Sequence, residues 1–265
     1  RRMNSNHAVA TVADAAAKGL QFDLAKAYEA CRKGIEEKTL APWSGAAAGW
    51  IDDFYKKNGY IPALQEGEKE TDPNVHHFEK RQPIAVTLGT AYDHWCLSRI
   101  ADMLGKKEDA AHYLQCAHNY RNVYNAETAF FHPKDKNGKW IEPFDYRFSG
   151  GMGAREYYGE NNGWVYRWDV PHNVADLIDL MGGNQQFIAN LDQTFREPLG
   201  RGKYAFYAQI PDHTGNVGQF SMANEPSLHI PYLYNYAGQP WKTQKRIRQL
   251  LKTWFRNDRM GIPGD

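Results

Sequence analysis

The sequence has 265 residues, which suits one large domain or two small ones. Its formal net charge of +1 gives no electrostatic argument for nucleic acid or an acidic membrane surface as a partner. A membrane-spanning helix needs about eighteen consecutive apolar residues, and the sequence contains no such run. The three cysteines are odd in number and lack CxxC spacing, which disfavours a disulfide framework and a zinc site.

Helical periodicity dominates the chain, because apolar residues recur at i, i+3, i+4 and i+7. Helices are predicted over 7–20, 22–38, 84–104 and 107–124, from Pro171, from a cap at Asn184, and from about Trp241. The loosely alternating segment 203–210 is interpreted as a short strand, and the turn-rich segment 57–83 as an elaborated loop. Paired helices joined by long loops favour a mainly α fold, an α/α toroid with its long loops at one end.

Three Gly-rich loops, 157–173, 212–229 and 261–265, carry most of the residues that could do chemistry. Glycoside hydrolysis needs two carboxyl groups, one of them protonated. Glu160 lies among aromatic residues, a setting that would raise the pKa of a carboxyl and suit a general acid, although spacing alone favours a solvated loop glutamate. Asn224 and Glu225 offer oxygen ligands for calcium, but Asn224 followed by Pro226 also fits a helix N-cap.

Several motifs in these loops and helices, in the right order along the chain, resemble those of the family 92 α-mannosidases. The strongest are NEPS at 224–227, PYLYNYAG at 231–238 and PWKT at 240–243. ENNGW at 160–164 resembles the family's EGNAW-type segment and is followed by VPH at 170–172, and YDHWC at 92–96 resembles YDDWC. GIPGD at 261–265 is similar to the start of the family's glycine-plus-acidic motif.

The resemblance implies an N-terminal β-sandwich followed by an (α/α)6 barrel, with inverting, calcium-dependent hydrolysis of α-mannosides in glycans. It implies that Glu160 is the general acid and that Asp265 is the general base or its partner. It also implies a Ca²⁺ ion held by Glu225, with help from Asn224 and Gln219. The residues expected to bind the sugar are Trp164, Trp168, His172 and His229. Glu156, four residues before Glu160, is the rival candidate for the acid.

Some positions depart from the family pattern. Asn173 follows VPH where the family often has Asp, and Leu228 replaces the first His of NEPSHH. The segment 208–211 lacks the His-Glu pair of members that cut α-1,2 bonds, so another linkage is expected. Residues 1–265 are expected to form part of the catalytic barrel, without the β-sandwich and the extreme C-terminus. The remainder of the same protein is therefore an expected partner, and the active site of this piece is expected to be incomplete.

Two alternatives to the mannosidase remain open. Another α/α-toroid hydrolase would keep two carboxylates but need no calcium, and a non-catalytic fragment would bind sugar without turnover. Although no signal peptide is visible, we expect a secreted, periplasmic or cell-surface location in a bacterium.

Overall fold

The computed structural model describes residues 6–148, 156–210, 213–259 and 261–263. In this part of the chain the regular structure is mainly helical. The helices are α1 (Ala8–Ala17), α2 (Leu24–Glu36), α3 (Trp50–Asn58), α4 (Pro83–Met103), α5 (Lys107–Cys116), α6 (Gly163–Tyr166), α7 (Val174–Leu180), α8 (Asn184–Thr194), α9 (Lys203–Tyr207) and α10 (Pro240–Trp254). Short 3-10 helices span Asn119–Val123, Glu225–Ser227 and Ile230–Asn235. The strands are β1 (Tyr124–Asn125), β2 (Phe130–Phe131), β3 (Asn216–Val217) and β4 (Phe220–Ser221), paired as β1–β2 and β3–β4.

The chain divides into two compact units. The first unit comprises Arg1–Tyr124, His132–Glu142 and Arg155–Gly159. The second unit comprises Asn125–Phe131, Pro143–Ala154 and Glu160–Asp265.

Helix α4 is the centre of the first unit. Sixteen of its 21 residues are buried, because α1, α2 and α5 all pack against it. Its sequence accordingly shows no single apolar stripe, and polar residues such as Asp93 and His94 are buried with the apolar ones. The core around it consists of Val9, Ala13, Tyr28, Cys31, Ile35, Cys96, Leu97, Ile100, Ala101, Ala110 and Tyr113.

Side-chain caps decide where two helices of the first unit begin. The carboxylate of Asp23 accepts a hydrogen bond from the backbone N–H of Lys26 and starts α2. At α3 the residue before the helix is Gly49, and Asp52 accepts from its backbone N–H at 2.7 Å. A second bond, from the N–H of Leu40 at 2.6 Å, fixes the other oxygen of Asp52. Helix α3 has no side chain at its N-cap, which explains why the sequence pattern did not predict it.

The second unit contains short helices and a core of aromatic rings. The edge of the Trp168 ring meets Phe187 of α8, and Phe195 packs against Phe220 and Tyr234. Hairpin β3–β4 turns at Gly218, which has φ +61°. A Cβ there would lie 2.5 Å from the backbone carbon of Phe195, so only glycine allows this close approach.

The helical prediction is confirmed for most of the segments, with shifted ends. The predicted helix over 107–124 stops at Cys116 and continues as a separate 3-10 turn, and Asn173 rather than Pro171 precedes α7. The cap predicted at Asn184 is one residue late, because Gly183 occupies that position. The prediction of a strand over 203–210 is wrong: residues Lys203–Tyr207 form α9. A strand needs a paired neighbour for its N–H groups, whereas a single helical turn satisfies them locally.

All three cysteines are free thiols, and Cys31 and Cys96 are buried in the core of the first unit. Cys116 is half-buried. None of the helices in the described residues combines the length and the apolar character needed to cross a bilayer.

Candidate active site

Glu160 lies in the second unit and is half-buried. Its Oε2 accepts a hydrogen bond of 2.8 Å from Nδ2 of Asn224, which is 64 residues further along the chain. The structure therefore brings together two of the three loops that the sequence singled out. The third loop ends at Asp265, which lies outside the described residues, as does Asp212.

His213 holds the backbone of the acid candidate. Its ring is 3% exposed and hydrogen-bonds to the backbone of Glu160. Burial lowers the pKa of His213 to about 4, although the hydrogen bond acts in the opposite direction. The imidazole is therefore neutral at physiological pH and adds no charge beside the carboxylate.

Asn162, two residues beyond Glu160, forms a buried amide pair with Gln219. Asn162 Oδ1 accepts from the N–H of Trp164 and caps α6, while its Nδ2 donates to Gln219 Oε1 at 2.9 Å. Gln219 Nε2 donates to the carbonyl of Pro198 at 2.6 Å. Gln219 therefore links three segments of the second unit, a supporting role that its sequence position did not reveal.

Asn224 occupies the N-cap position of the 3-10 helix Glu225–Ser227, but its side chain caps nothing. The amide is 2% exposed, and Oδ1 has no hydrogen-bond partner among the described residues. An acceptor left buried in this way is costly unless a ligand satisfies it. The capping alternative therefore does not account for this side chain. Glu225, the next residue, is exposed to solvent.

The aromatic residues predicted to bind sugar differ in what they expose. Trp164 meets Phe130 edge to face, and its buried indole N–H has no acceptor among the described residues. Trp168 is fully buried, and its N–H donates to Thr194 Oγ1 at 3.1 Å. A ring without exposed surface offers no stacking face, so the structure favours a supporting role for Trp168 over direct contact with a sugar.

The two histidines of the predicted sugar site lie at half-buried positions. His229 Nε2 and the carbonyl oxygen of Trp168 are 2.8 Å apart, a hydrogen bond that makes Nε2 the protonated nitrogen. His172 precedes Asn173, whose Oδ1 accepts from the N–H of Asp176 and caps α7. Since Asn and Asp cap helices equally well, this contact explains why Asn173 can stand where Asp is usual.

Sequence reasoning missed two residues of this site. Asn162 carries a recognisable signal, because Asn directly before a helical segment is a common N-cap. His213 carries none, since its role depends on a contact with a segment more than fifty residues away.

The described part of this site therefore combines one oriented carboxyl group, buried amides and aromatic rings on a helical scaffold. The chain belongs to the glycosyl hydrolase family 92, whose catalytic-domain model matches residues 1–265.

Solved structures support this membership. A family 92 inverting mannosidase from Bacteroides thetaiotaomicron VPI-5482 is 33% identical, with a TM-score of 0.76 over 99% of this chain and 33% of that one. A family 92 alpha-mannosidase from the same species, solved with mannoimidazole, is 28% identical, with a TM-score of 0.78 over 98% of this chain and 31% of that one.

A protein of Arthroderma benhamiae described as an uncharacterized secreted glycosidase is 27% identical over 286 residues, which cover 99% of this chain and 33% of that protein. The chain thus spans about a third of the length of the relatives it matches.

Proposed function

We propose that the protein containing this chain hydrolyses terminal α-linked mannose in glycans by a calcium-dependent inverting mechanism. Family membership supports the class of reaction, and the relatives described as mannosidases support the substrate. The observation that carries the proposal is the hydrogen bond between Glu160 and Asn224, which joins the two loops whose motifs resemble the family.

Glu160 is the proposed general acid. A protonated carboxyl can accept a hydrogen bond at one oxygen while the other presents its proton to the departing glycosidic oxygen. Asn224 supplies that hydrogen bond at Oε2, and His213 fixes the backbone of the same residue. Both contacts restrict the orientation of the acid, and orientation is a large part of the catalytic effect.

Asp265 is the proposed general base, or the partner of that base. In an inverting enzyme the base activates a water molecule on the face of the sugar opposite the acid. The two carboxyl groups then stand about 6.5–9.5 Å apart to leave room for that water. A second acidic residue of the motif would follow Asp265 in the complete protein.

Glu225 and Asn224 are the proposed calcium ligands, with Gln219 beside them. The buried, unpartnered Oδ1 of Asn224 fits this role, because amide and carboxylate oxygens are the donors calcium prefers. Gln219 Oε1 already accepts from Asn162 and retains one lone pair. Among the described residues no group of three or more His, Cys, Asp or Glu could hold a metal, so the proposed set combines one carboxylate with amide oxygens. A bound ion would supply positive charge that polarises the bound sugar.

Trp164, His172 and His229 are the proposed sugar contacts. The indole N–H of Trp164 is the clearest of them, because it is buried without an acceptor among the described residues. Helical pairs such as α4–α5 and α7–α8 are proposed to be parts of an (α/α)6 toroid, with the β-sandwich and the extreme C-terminus elsewhere in the complete protein. A secreted, periplasmic or cell-surface location completes the proposal, and the description of the Arthroderma relative as secreted supports it.

The substitution Glu160→Gln in the complete protein tests the assignment of the acid. Glutamine keeps the shape of the side chain but cannot give a proton, so mannosides with poor leaving groups should react about 10²–10⁴-fold more slowly. Mannosides with good leaving groups should lose much less, because their oxygen departs without full protonation. The matched control is Glu156→Gln, at an exposed carboxylate on the same loop. Finding the leaving-group split in Glu156→Gln instead would overturn the assignment.

Removal of calcium separates the alternatives. Exhaustive chelation should abolish turnover by a family 92 mannosidase and should leave another toroid hydrolase active. Binding of mannosides without any turnover in the complete protein would indicate a non-catalytic sugar-binding role.

A further inference from the structure

A cavity in the second unit, which we call the cationic cavity, has a volume of about 360 Å³. Basic side chains dominate its lining, and it shares no residue with the proposed catalytic set. Six of its eight lining residues carry the argument: Arg196, Lys242, Lys245, Arg246, Asp192 and Trp241.

Charge is unbalanced in the cationic cavity. Asp192 is the one carboxylate in its described lining, and both of its oxygens are in use. Tyr234 donates to Oδ1 at 2.8 Å, and Lys242 Nζ donates to Oδ2 at 2.5 Å. Arg196 and Lys245 have no carboxylate within 4.0 Å in the described part of the chain, and neither does Arg246. Three positive charges therefore surround the cavity without a neutralising partner.

Arg246 is held in place. Its guanidinium lies 4.1 Å from the centroid of the Phe195 ring, and Nη1 donates to Gln249 Oε1 at 2.7 Å. Stacking and hydrogen bonding fix the plane of the guanidinium, and a fixed fork of N–H donors matches the oxygens of a phosphate or sulfate group.

Trp241 adds an apolar face at the same cavity. Its ring is 56% exposed, and Lys242 Nζ lies 5.7 Å from the ring centroid. A free inorganic anion has no apolar face that could contact this exposed indole ring. It suits an anion attached to a body with an apolar face, such as a sugar ring.

We propose that the cationic cavity binds a sugar that carries a phosphate or sulfate ester. The tetrahedral anion would lie among Arg196, Lys245 and Arg246, with the sugar ring against Trp241. The volume is large enough for one such sugar. The site would hold an anionic branch of a glycan independently of the hydrolytic centre, so it does not rest on the proposed reaction.

Calorimetric titration of the complete protein at low ionic strength tests this proposal. Mannose 6-phosphate should bind most tightly, inorganic phosphate more weakly, and mannose should give no signal that depends on the cavity. The double variant Arg196→Gln/Lys245→Gln should weaken binding of both anions at least about tenfold, because hydrogen bonds to charged groups are lost. Trp241→Ala should weaken mannose 6-phosphate but not inorganic phosphate.

The matched control is Arg248→Gln/Lys252→Gln, which removes the same charge from α10 outside the cavity and should leave binding unchanged. Glu160→Gln should also leave anion binding unchanged, and this distinguishes the cavity from the hydrolytic centre. Equal weakening by the two double variants, or no binding of either anion, would overturn the proposal. Equal affinity for mannose 6-phosphate and inorganic phosphate would overturn the assignment of a sugar.

Discussion

Different kinds of contact stabilise the interior of each of the two units. In the first unit, α4 is buried along most of its length, and apolar side chains from three other helices surround it. In the second unit, the segments around Glu160 are linked by individual hydrogen bonds, such as those from Gln219 to Pro198 and from Asn224 to Glu160.

This difference separates stability from function. Apolar packing tolerates many sequences of similar volume, and its main effect is on the free energy of unfolding. A hydrogen bond in a loop needs one donor at one position, and it determines where a functional group points. Substitutions in the first unit should therefore change stability, whereas those in the loops of the second unit should change activity as well.

The largest expected effect is that of Leu97→Ala, because Leu97 is fully buried in α4. Removal of its side chain leaves a cavity and should lower the free energy of unfolding by about 2–5 kcal/mol. Denaturant unfolding of the complete protein measures this loss, and kcat of the folded enzyme should remain unchanged. The control is Leu114→Ala on α5, where the side chain is 40% exposed and the loss should be much smaller. Equal losses would contradict a core centred on α4.

Gly218→Ala should affect both stability and activity. Its Cβ would meet the backbone of Phe195, so the hairpin must move, at a cost of about 1–3 kcal/mol for overpacking. The movement should also displace Gln219, the next residue, and lower kcat. Gly238→Ala is the matched control: its φ of +78° is similarly strained for alanine, but no atom lies within 4 Å of the added Cβ. The difference between the two variants, in unfolding and in kcat, measures the close contact alone.

A dependence of stability on pH should come from His94 in α4. Burial lowers its pKa to about 3, and its ring is stacked between Tyr55 and Tyr113. The folded state keeps the ring neutral, whereas the unfolded state takes up a proton below pH about 6.5. The contribution of His94 to the free energy of unfolding should therefore be constant above pH about 6.5. Below that pH it should fall by about 1.4 kcal/mol per pH unit, down to the pKa of the folded state.

His94→Phe keeps a stacked ring and should remove this slope, measured by denaturant unfolding between pH about 7 and about 5. His213→Phe should reduce the slope in the same way, because the pKa of His213 is also lowered by burial. It should in addition lower kcat, since the backbone of Glu160 loses its hydrogen-bond partner. A variant at His94 that lowers kcat as strongly as one at His213 would remove the distinction between the two units.

The smallest expected effect concerns Asn173, the cap of α7. Asn173→Ala should cost about 1 kcal/mol, because the N–H of Asp176 loses its acceptor. Asn173→Asp should be close to neutral in stability, since both residues cap helices. Thermal unfolding at a single pH distinguishes the two. A large loss of activity in Asn173→Asp would assign the amide a role beyond capping.

The sequence predicted the first unit better than the second for a physical reason. The apolar run of α4 is visible in the sequence, and the predicted helix over 84–104 differs by one residue at each end from Pro83–Met103. Helix α3 was not predicted, because its cap comes from Asp52 inside the helix. The segment 203–210 carries too little apolar pattern to distinguish a turn of helix from a strand.

In the candidate site, motif resemblance selected Glu160 and Asn224 but not the bond between them. Periodicity describes neighbours along the chain, and this bond joins residues from distant segments. The burial of Trp168 was not predicted for a related reason: an aromatic residue in a loop has the same sequence signature whether its ring faces a ligand or the core. The proposed role of Asp265 remains a prediction.

Two residues of the candidate site donate to main-chain carbonyl groups, and this affects how the protein can evolve. Gln219 donates to the carbonyl of Pro198, and His229 donates to that of Trp168. Every amino acid carries a carbonyl, so mutation of an accepting residue leaves its bond available, whereas mutation of a donor removes it. We therefore expect substitutions to be tolerated at positions such as Pro198 and removed by selection at Gln219. Surfaces near the acceptors can then diversify, while the framework that orients Glu160, the proposed acid, is conserved.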